Sequence, residues 1–259
     1  MDQHERRLFL LDRLLRERPA EYAGIRVPAD EDGQKSLLRA LFNVRPPKPA
    51  GTDFLAVQDE YLQEETRRKG IINADDLPES EPGIALWQGD ITRLKCDAVV
   101  NAANSGLLGC FAPCHGCIDN AIHTFAGVQL RLACAQLKRR KGITQERTGG
   151  AQITPAFNLP ARYVLHTVGP IVRGRLTDDD RALLASCYRS CLELAAQNGL
   201  RSVAFCCIST GEFHFPNEEA ARIALRTVRE ERAQHPQIKV IFNVFQERDR
   251  EIYASLLGV

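Results

Sequence analysis

The stretch Asp97-Ala98-Val99-Val100-Asn101-Ala102-Ala103-Asn104-Ser105 passes from an apolar run into a polar turn. Shortly after it comes Gly109-Cys110-Phe111-Ala112-Pro113-Cys114-His115-Gly116-Cys117-Ile118-Asp119-Asn120. The first segment predicts a buried strand over Asp97–Ala102, since a short apolar run bounded by turn residues suits a strand covered on both faces. In the second, Pro113 and Gly116 interrupt any regular element and predict a loop that folds back on itself. Beyond it Ile118, Ile122, Phe125, Leu130, Ala133 and Leu137 recur near helical spacing, which predicts one helix over Cys117–Arg139.

The same alternation continues on both sides. Further strands are expected at Ile84–Gln88, Ala151–Ala156, Tyr163–Thr167, Ser202–Ile208 and Lys239–Val244, and helices at Asp178–Asn198, Asn217–Gln234 and Asp249–Leu257. Strands separated by helices imply an α/β sandwich around a largely parallel, buried sheet. Ligands of such sheets bind beyond the carboxyl ends of the strands. Three polar segments fall there: Gly89-Asp90-Ile91-Thr92, Asn101–Ser105, and Ser209-Thr210-Gly211-Glu212-Phe213.

The loop at Gly109–Asn120 gathers Cys110, Cys114, His115 and Cys117, the thiolate and imidazole ligands that zinc takes in a tetrahedron. Two plainer readings compete with zinc. Free cysteines often serve as small core hydrophobes, and the Cys-x-x-Cys spacing of Cys114 and Cys117 suits redox chemistry. A broken segment makes a poor core strand, and redox chemistry leaves Cys110 and His115 unexplained. A helix beginning beside the loop turns backbone N–H groups toward it, which favours a phosphate-bearing ligand. Cys96, Cys134, Cys187, Cys191, Cys206 and Cys207 have no ligand-type neighbour in sequence and read as core packing.

Hydrophobic residues make up 44% of the 259, enough for a sizeable core. A formal net charge of +1 offers no case for nucleic-acid binding or an anionic membrane surface. No run approaches the roughly 20 apolar residues that span a bilayer. The opening residues read as an amphipathic helix rather than a signal peptide. Nine cysteines without secretory context suit a reducing cytoplasm. No interface signal stands out, and a monomer is the default expectation.

Residues 1–80 have a different character. Leu8, Leu11, Leu14 and Leu15 form a helical stripe, Lys35–Asn43 and Phe54–Arg68 suggest two more helices, and Pro46, Pro47 and Pro49 stiffen a connector. They carry no catalytic pattern and read as a helical extension. The acidic run Asp75–Gly83, with Pro78 and Pro82, reads as the linker to a main domain over residues 81–259.

Taken together, Gln88–Thr92, Val100–Ser105, Ile118-Asp119 with Ala121-Ile122-His123 and Ala126-Gly127, His166-Thr167-Val168-Gly169-Pro170, and Ile208–Gly211 resemble the macrodomain family. The resemblance covers Ile84 to the C-terminus and implies a three-layer α/β/α fold with a mixed, mostly parallel sheet. Macrodomains bind ADP-ribose, and many hydrolyse its bond to protein side chains. The Cys/His segment and the helical extension are similar to a zinc-dependent bacterial branch of protein-ADP-ribose hydrolases, in which such an insertion replaces a glycine run.

The resemblance implies a role for each matching residue. Asp90 would accept from the adenine amine beside the Ile91 N–H, where its plainer role is a turn cap. Ser209, Thr210, Gly211 and Glu212 would wrap the diphosphate with backbone N–H groups, and Phe213 would pack on the distal ribose or in the core. His214 stands where many macrodomains have glycine. Asn104 would bind distal ribose hydroxyls, helped by Asn120, with Cys117 and Ile118 alongside; Asn101 would hold its loop through local backbone bonds. Zn2+ would sit on Cys110, His115 and Cys117, leaving an open position, with a closed site that adds Cys114 as the alternative. Asp119 would position or deprotonate the water, or only complement the helix dipole. His123 and His166 read as packing residues.

The activity so implied is zinc-dependent removal of mono-ADP-ribose from proteins, at C1 of the distal ribose and from an Asp/Glu-type acyl linkage, with Asp119, Asn104 and Cys117 at the reacting centre. A reader of ADP-ribose without turnover, an O-acyl-ADP-ribose esterase, and a redox or structural zinc protein are the alternatives.

Overall fold

The computed structural model describes residues 1–259. Four helices lead the chain: α1 (Gln3–Glu17), α2 (Pro19–Tyr22), α3 (Glu31–Val44) and α4 (Thr52–Lys69). Asp2 opens α1 with a capping box, its carboxylate accepting from Glu5 N while Asp2 N donates to Glu5, so two otherwise orphaned amides are satisfied. There follow β1 (Ile72–Asn73), β2 (Glu79–Glu81), β3 (Ile84–Gln88), β4 (Leu94–Lys95), β5 (Ala98–Ala102), α5 (Ile118–Ala126) and α6 (Val128–Lys141). The rest comprises β6 (Ala151–Pro155), β7 (Tyr163–Thr167), α7 (Asp178–Gln197), β8 (Ser202–Phe205), α8 (Asn217–Gln234), β9 (Lys239–Val244) and α9 (Glu247–Leu257).

The main sheet runs β2-β3-β9-β8-β5-β7-β6. Its five inner strands are parallel, while β2 and β6 pair antiparallel at the two edges. Residues 98–101 of β5 and all of β8 are buried, because helices cover both faces: α5 and α6 pack together, and α7, α8 and α9 form a separate group. The result is the expected three-layer α/β/α sandwich with a mixed, mostly parallel sheet. The N-terminal helices close an apolar core of their own, in which Leu10, Leu14, Leu38, Phe42 and Tyr61 meet Val128 of α6.

Three local expectations are corrected. The helix foreseen over Cys117–Arg139 is two helices broken at Gly127, whose φ of +91 no side chain adopts readily. Gln58 of α4 fills the break, its Oε1 accepting from Val128 N at 2.9 Å. The strand foreseen to Ile208 ends at Phe205; Cys206 is buried just beyond it, whereas Cys207 is half-buried. The run read as a linker carries β2, which pairs with β3, and the preceding β1 pairs with β4, so the chain between the helices and the sheet is hydrogen-bonded into both sheets.

Candidate active site

Because β3, β5, β8 and β9 are parallel, the segments after them open on one edge of the sheet and enclose a cleft of about 700 Å³. Asp90 and Ile91 follow β3, Asn104 follows β5, and Ser209, Thr210, Gly211, Glu212 and Phe213 follow β8; all line the cleft. Cys110, His115, Cys117, Ile118 and Asp119 line it from the loop before α5 and from its first turn. Of the residues given a ligand or catalytic role in the sequence, Asn120 does not, nor does Cys114, the fourth ligand of the alternative closed site. Asn120 is fully buried, with Arg39 donating to its Oδ1 at 2.7 and 3.1 Å while its Nδ2 donates to Ala112 O. That side chain braces the loop and lies out of reach of the cleft.

Asp90 caps the short turn at Ile91–Arg93: its Oδ1 accepts from Thr92 N at 3.0 Å and Thr92 Oγ1 at 2.6 Å. Its Oδ2 lies 3.4 Å from Lys69 Nζ, and that ammonium also sits over the Phe125 ring. In the loop of the opposite wall Ser209 (φ +67), and His214 (φ +57) just beyond the lining residues, take up the left-handed backbone that glycine adopts freely. Ser209 Oγ is buried against Gly169 and has no partner in the protein. A Cβ on Gly211 would meet no protein atom, so packing does not demand glycine there.

Ligand atoms of Cys110, His115 and Cys117 lie within 4.8 Å of one another. His115 Nδ1 is 3.7 Å from Cys110 Sγ, and its Nε2 is 3.5 Å from Glu212 Oε1. Cys117 caps α5, its Sγ accepting from Asn120 N at 3.4 Å. Cys114 stands apart: it is exposed at φ +55, and its Sγ donates to Ser36 O. Two sulfurs and an imidazole converging on one point make a soft donor set that fits zinc. Burial pushes Cys117 up to about 11, with Cys110 adding to the effect, so a thiolate there needs a cation beside it.

Asp119 is 4% exposed yet reaches the cleft. Burial pushes its carboxyl up to about 6, against the pull of the Asn101 hydrogen bond and the Arg131 charge. Asn101 Nδ2 donates to Asp119 Oδ1 at 2.8 Å and to His166 Nδ1 at 3.2 Å, so Asn101 serves the carboxylate instead of its own loop. Asn104 Nδ2 donates to Asp119 Oδ2 and to Gly109 O, both at 3.2 Å. His123 Nε2 comes within 3.5 Å of Asp119 Oδ1 but forms no hydrogen bond, and burial holds that ring neutral. Cys134, expected among apolar neighbours, instead lies 3.7 Å from His166 Nε2 in a buried group with His123.

Comparison with known proteins agrees with this architecture. The sequence profile described as Macro domain matches residues 100–224. A protein-ADP-ribose hydrolase of Treponema medium is 56% identical over the whole of both chains. The chain belongs to the macrodomain family. A Staphylococcus aureus (strain MSSA476) protein-ADP-ribose hydrolase is 49% identical over 88% of this macrodomain and 86% of its own length. Among solved structures, a Trypanosoma brucei macrodomain in complex with ADP-ribose is 32% identical, covers 85% of this chain and 95% of its own, and superposes with a TM-score of 0.66. An Oceanobacillus iheyensis macrodomain with ADP is 39% identical over 68% of this chain and 90% of its own, with a TM-score of 0.61.

Two residues that shape the macrodomain cleft escaped the sequence reading, one lining it and one behind its wall. Phe245, 70% exposed, lines it directly after β9; a bare aromatic at a strand's carboxyl end was a usable signal. Arg131 donates to Leu108 O at 2.6 Å and to the carbonyls of Phe42, Asn43 and Arg45, joining the cleft wall to α3. Nothing in the helical period of α6 marks it.

Proposed function

We propose that this macrodomain removes mono-ADP-ribose from modified protein side chains by hydrolysing the bond between C1 of the distal ribose and an Asp/Glu-type acyl oxygen. The observation that carries the reading is the meeting, in one cleft, of the Cys110, His115 and Cys117 ligand atoms with the buried carboxyl of Asp119. The names of the relatives and the ADP-ribose held by the T. brucei structure support it. We assign residues 1–80 to a helical extension and 81–259 to the macrodomain.

In this reading adenine lies at Asp90 and the Ile91 amide, with the face of Phe245 available for stacking. The diphosphate follows the backbone of residues 209–213, where Ser209 Oγ has a hydrogen bond to give. The distal ribose then falls between Asn104 and Asp119, with Cys117 and Ile118 beside it. Cys110, His115 and Cys117 would hold zinc, which when bound supplies Lewis acidity beside that sugar. Asp119, ionised above about pH 6, orients a water and takes up its proton as the water oxygen bonds to C1 and the C1–acyl oxygen bond breaks, the Asp/Glu side chain leaving as its carboxylate. Asn101 and Asn104 hold both carboxylate oxygens in place. Glu212 faces the outer nitrogen of His115 at 3.5 Å, where it could accept from that ring once Nδ1 binds metal.

One assay tests the proposal: metal content of the purified protein, and release of free ADP-ribose from a mono-ADP-ribosylated acceptor with and without chelator. Turnover that chelation abolishes is expected. Full turnover in metal-free protein removes zinc from the reading, and capture of the acceptor unchanged makes the protein a reader.

A further inference from the structure

The segment that presents the three metal-type ligands has little means of holding its own shape. Phe111, Ala112, Pro113, Cys114 and Gly116 are exposed, and Cys114 sits in the left-handed region. Between Cys110 and Cys117 the main chain makes one internal hydrogen bond, His115 N to Ala112 O at a long 3.3 Å. A metal site whose ligands must converge within a few tenths of an ångström cannot rest on such a loop alone. The supports come from outside it: Arg131 of α6 lies over the Phe111 ring at 4.1 Å and reaches Cys110 O at 3.5 Å, and others come from α3.

Arg39, half-buried on α3, spreads its guanidinium across two targets at once. Its Nη2 donates to the backbone carbonyl of His115 at 2.9 Å and to Asn120 Oδ1 at 2.7 Å, and its Nε reaches the same Asn120 oxygen at 3.1 Å. Asn120 in turn donates to Ala112 O at 3.0 Å, and its backbone N–H is the one that Cys117 Sγ accepts. One planar fork therefore ties together the His115 main chain, the middle of the loop and the residue that caps onto Cys117. One turn further along the helix Asn43, 1% exposed, accepts from Cys114 N at 2.9 Å and donates to Thr124 of α5. None of these α3 residues lines the cleft.

We propose that Arg39 is a positioning residue for the metal loop, so that the N-terminal helices are a working part of the site instead of an attachment to it. The proposal rests on reading Cys110, His115 and Cys117 as metal ligands. Arg39 does not line the cleft, and its hydrogen bonds go to His115 O and Asn120 Oδ1 rather than to a ligand atom; it acts through His115 and Asn120. Its planar, fixed-geometry donors are what two differently oriented oxygens require, and a lysine ammonium cannot reproduce them.

The test is a set of metal-binding measurements on the full chain. Zinc affinity is measured by competition with a chromophoric chelator for wild type, Arg39→Ala and Arg39→Lys, alongside the ligand-field spectrum after cobalt substitution. Arg39→Ala should bind zinc roughly 10–100-fold more weakly, the range found for groups that orient metal ligands, and should alter the cobalt spectrum. Arg39→Lys should fall between it and wild type. ADP-ribose affinity of the metal-free proteins should be equal, because Arg39 is not at the cleft. Zinc affinity and cobalt spectrum unchanged in Arg39→Ala, with wild type binding zinc and turning over substrate, overturn this inference and leave the hydrolase reading intact. Wild type that binds no zinc overturns both. Should Arg39→Ala not fold, Arg39→Met keeps the length of the stem and carries the same expectations.

Discussion

Asn101 Nδ2 bridges Asp119 Oδ1 at 2.8 Å and His166 Nδ1 at 3.2 Å. An amide nitrogen can only donate, so His166 Nδ1 accepts and the ring proton is on Nε2, donated to Thr154 Oγ1 at 2.9 Å. The carboxylate at the cleft thus stands on a relay of neutral, buried groups running back to the edge strand. Replacing Asn101 by Ala should cost about 1–3 kcal/mol of stability, since Asp119 then loses its shortest donor inside the protein. Turnover should fall by up to about 10²-fold as the carboxylate drifts. Urea unfolding and steady-state hydrolysis measure the two effects; full activity in Asn101→Ala would detach Asp119 from the chemistry.

The separation of Cys114 from the other ligands predicts an asymmetry among the loop cysteines. Cys114→Ala should retain the wild-type metal content, while Cys110→Ala and Cys117→Ala should lose it. Metal analysis after gel filtration decides the matter. Zinc lost from Cys114→Ala would instead support a closed four-ligand site.

Asp90 already satisfies Thr92 through one oxygen, which leaves the oxygen facing Lys69 for a ligand. A hydrogen bond to a charged group contributes about 1.5–3 kcal/mol. Asp90→Ala should therefore weaken ADP-ribose binding by about tenfold or more, read by calorimetry on chelator-treated protein. An unchanged dissociation constant would reject the adenine role.

Acid should destabilise the protein through its buried histidines. Burial pushes His166 down to about 4 from 6.5. Between those values the unfolded chain binds a proton that the folded one does not, so stability is lost as pH falls through that window, at about 1.4 kcal/mol per pH unit. His123 is displaced in the same direction, by burial first and then by the His166 and Arg131 charges. Asp119 opposes them: raised from 3.8 to about 6, it binds its proton earlier when folded and gains stability as pH falls between those values. Arg131, lowered to about 10, and Cys134, raised to about 12, keep their charge states throughout. Two histidines against one carboxyl leave a net loss of stability as pH falls from 6.5 towards 4. Urea titrations with chelator present should show it, and His166→Gln should flatten the slope; equal slopes would refute the assignment.

Much of this was legible in the order of residues alone. Apolar runs such as Val99-Val100 and Val240-Ile241-Phe242 could only be buried strands, and the helical recurrences between them implied the α/β alternation. The residues following those strands marked where a ligand would bind, because parallel strands share one carboxyl edge whatever their lateral order. The break at Gly127 was not legible, since a lone glycine in a helical pattern is usually tolerated. Here it is enforced by Gln58 from a helix far upstream.

What the chain order determined on its own were the elements whose signals are local: periodicity, turn residues, and a cluster of cysteines close in sequence. Only the tertiary structure decided that Asn120 is occupied by Arg39, 81 positions away, that Asn101 serves Asp119, and that Cys134 joins two histidines. A hydrogen bond between distant residues leaves no period in either segment, because each donor and acceptor reads locally as an ordinary polar residue until folding brings them within 3 Å.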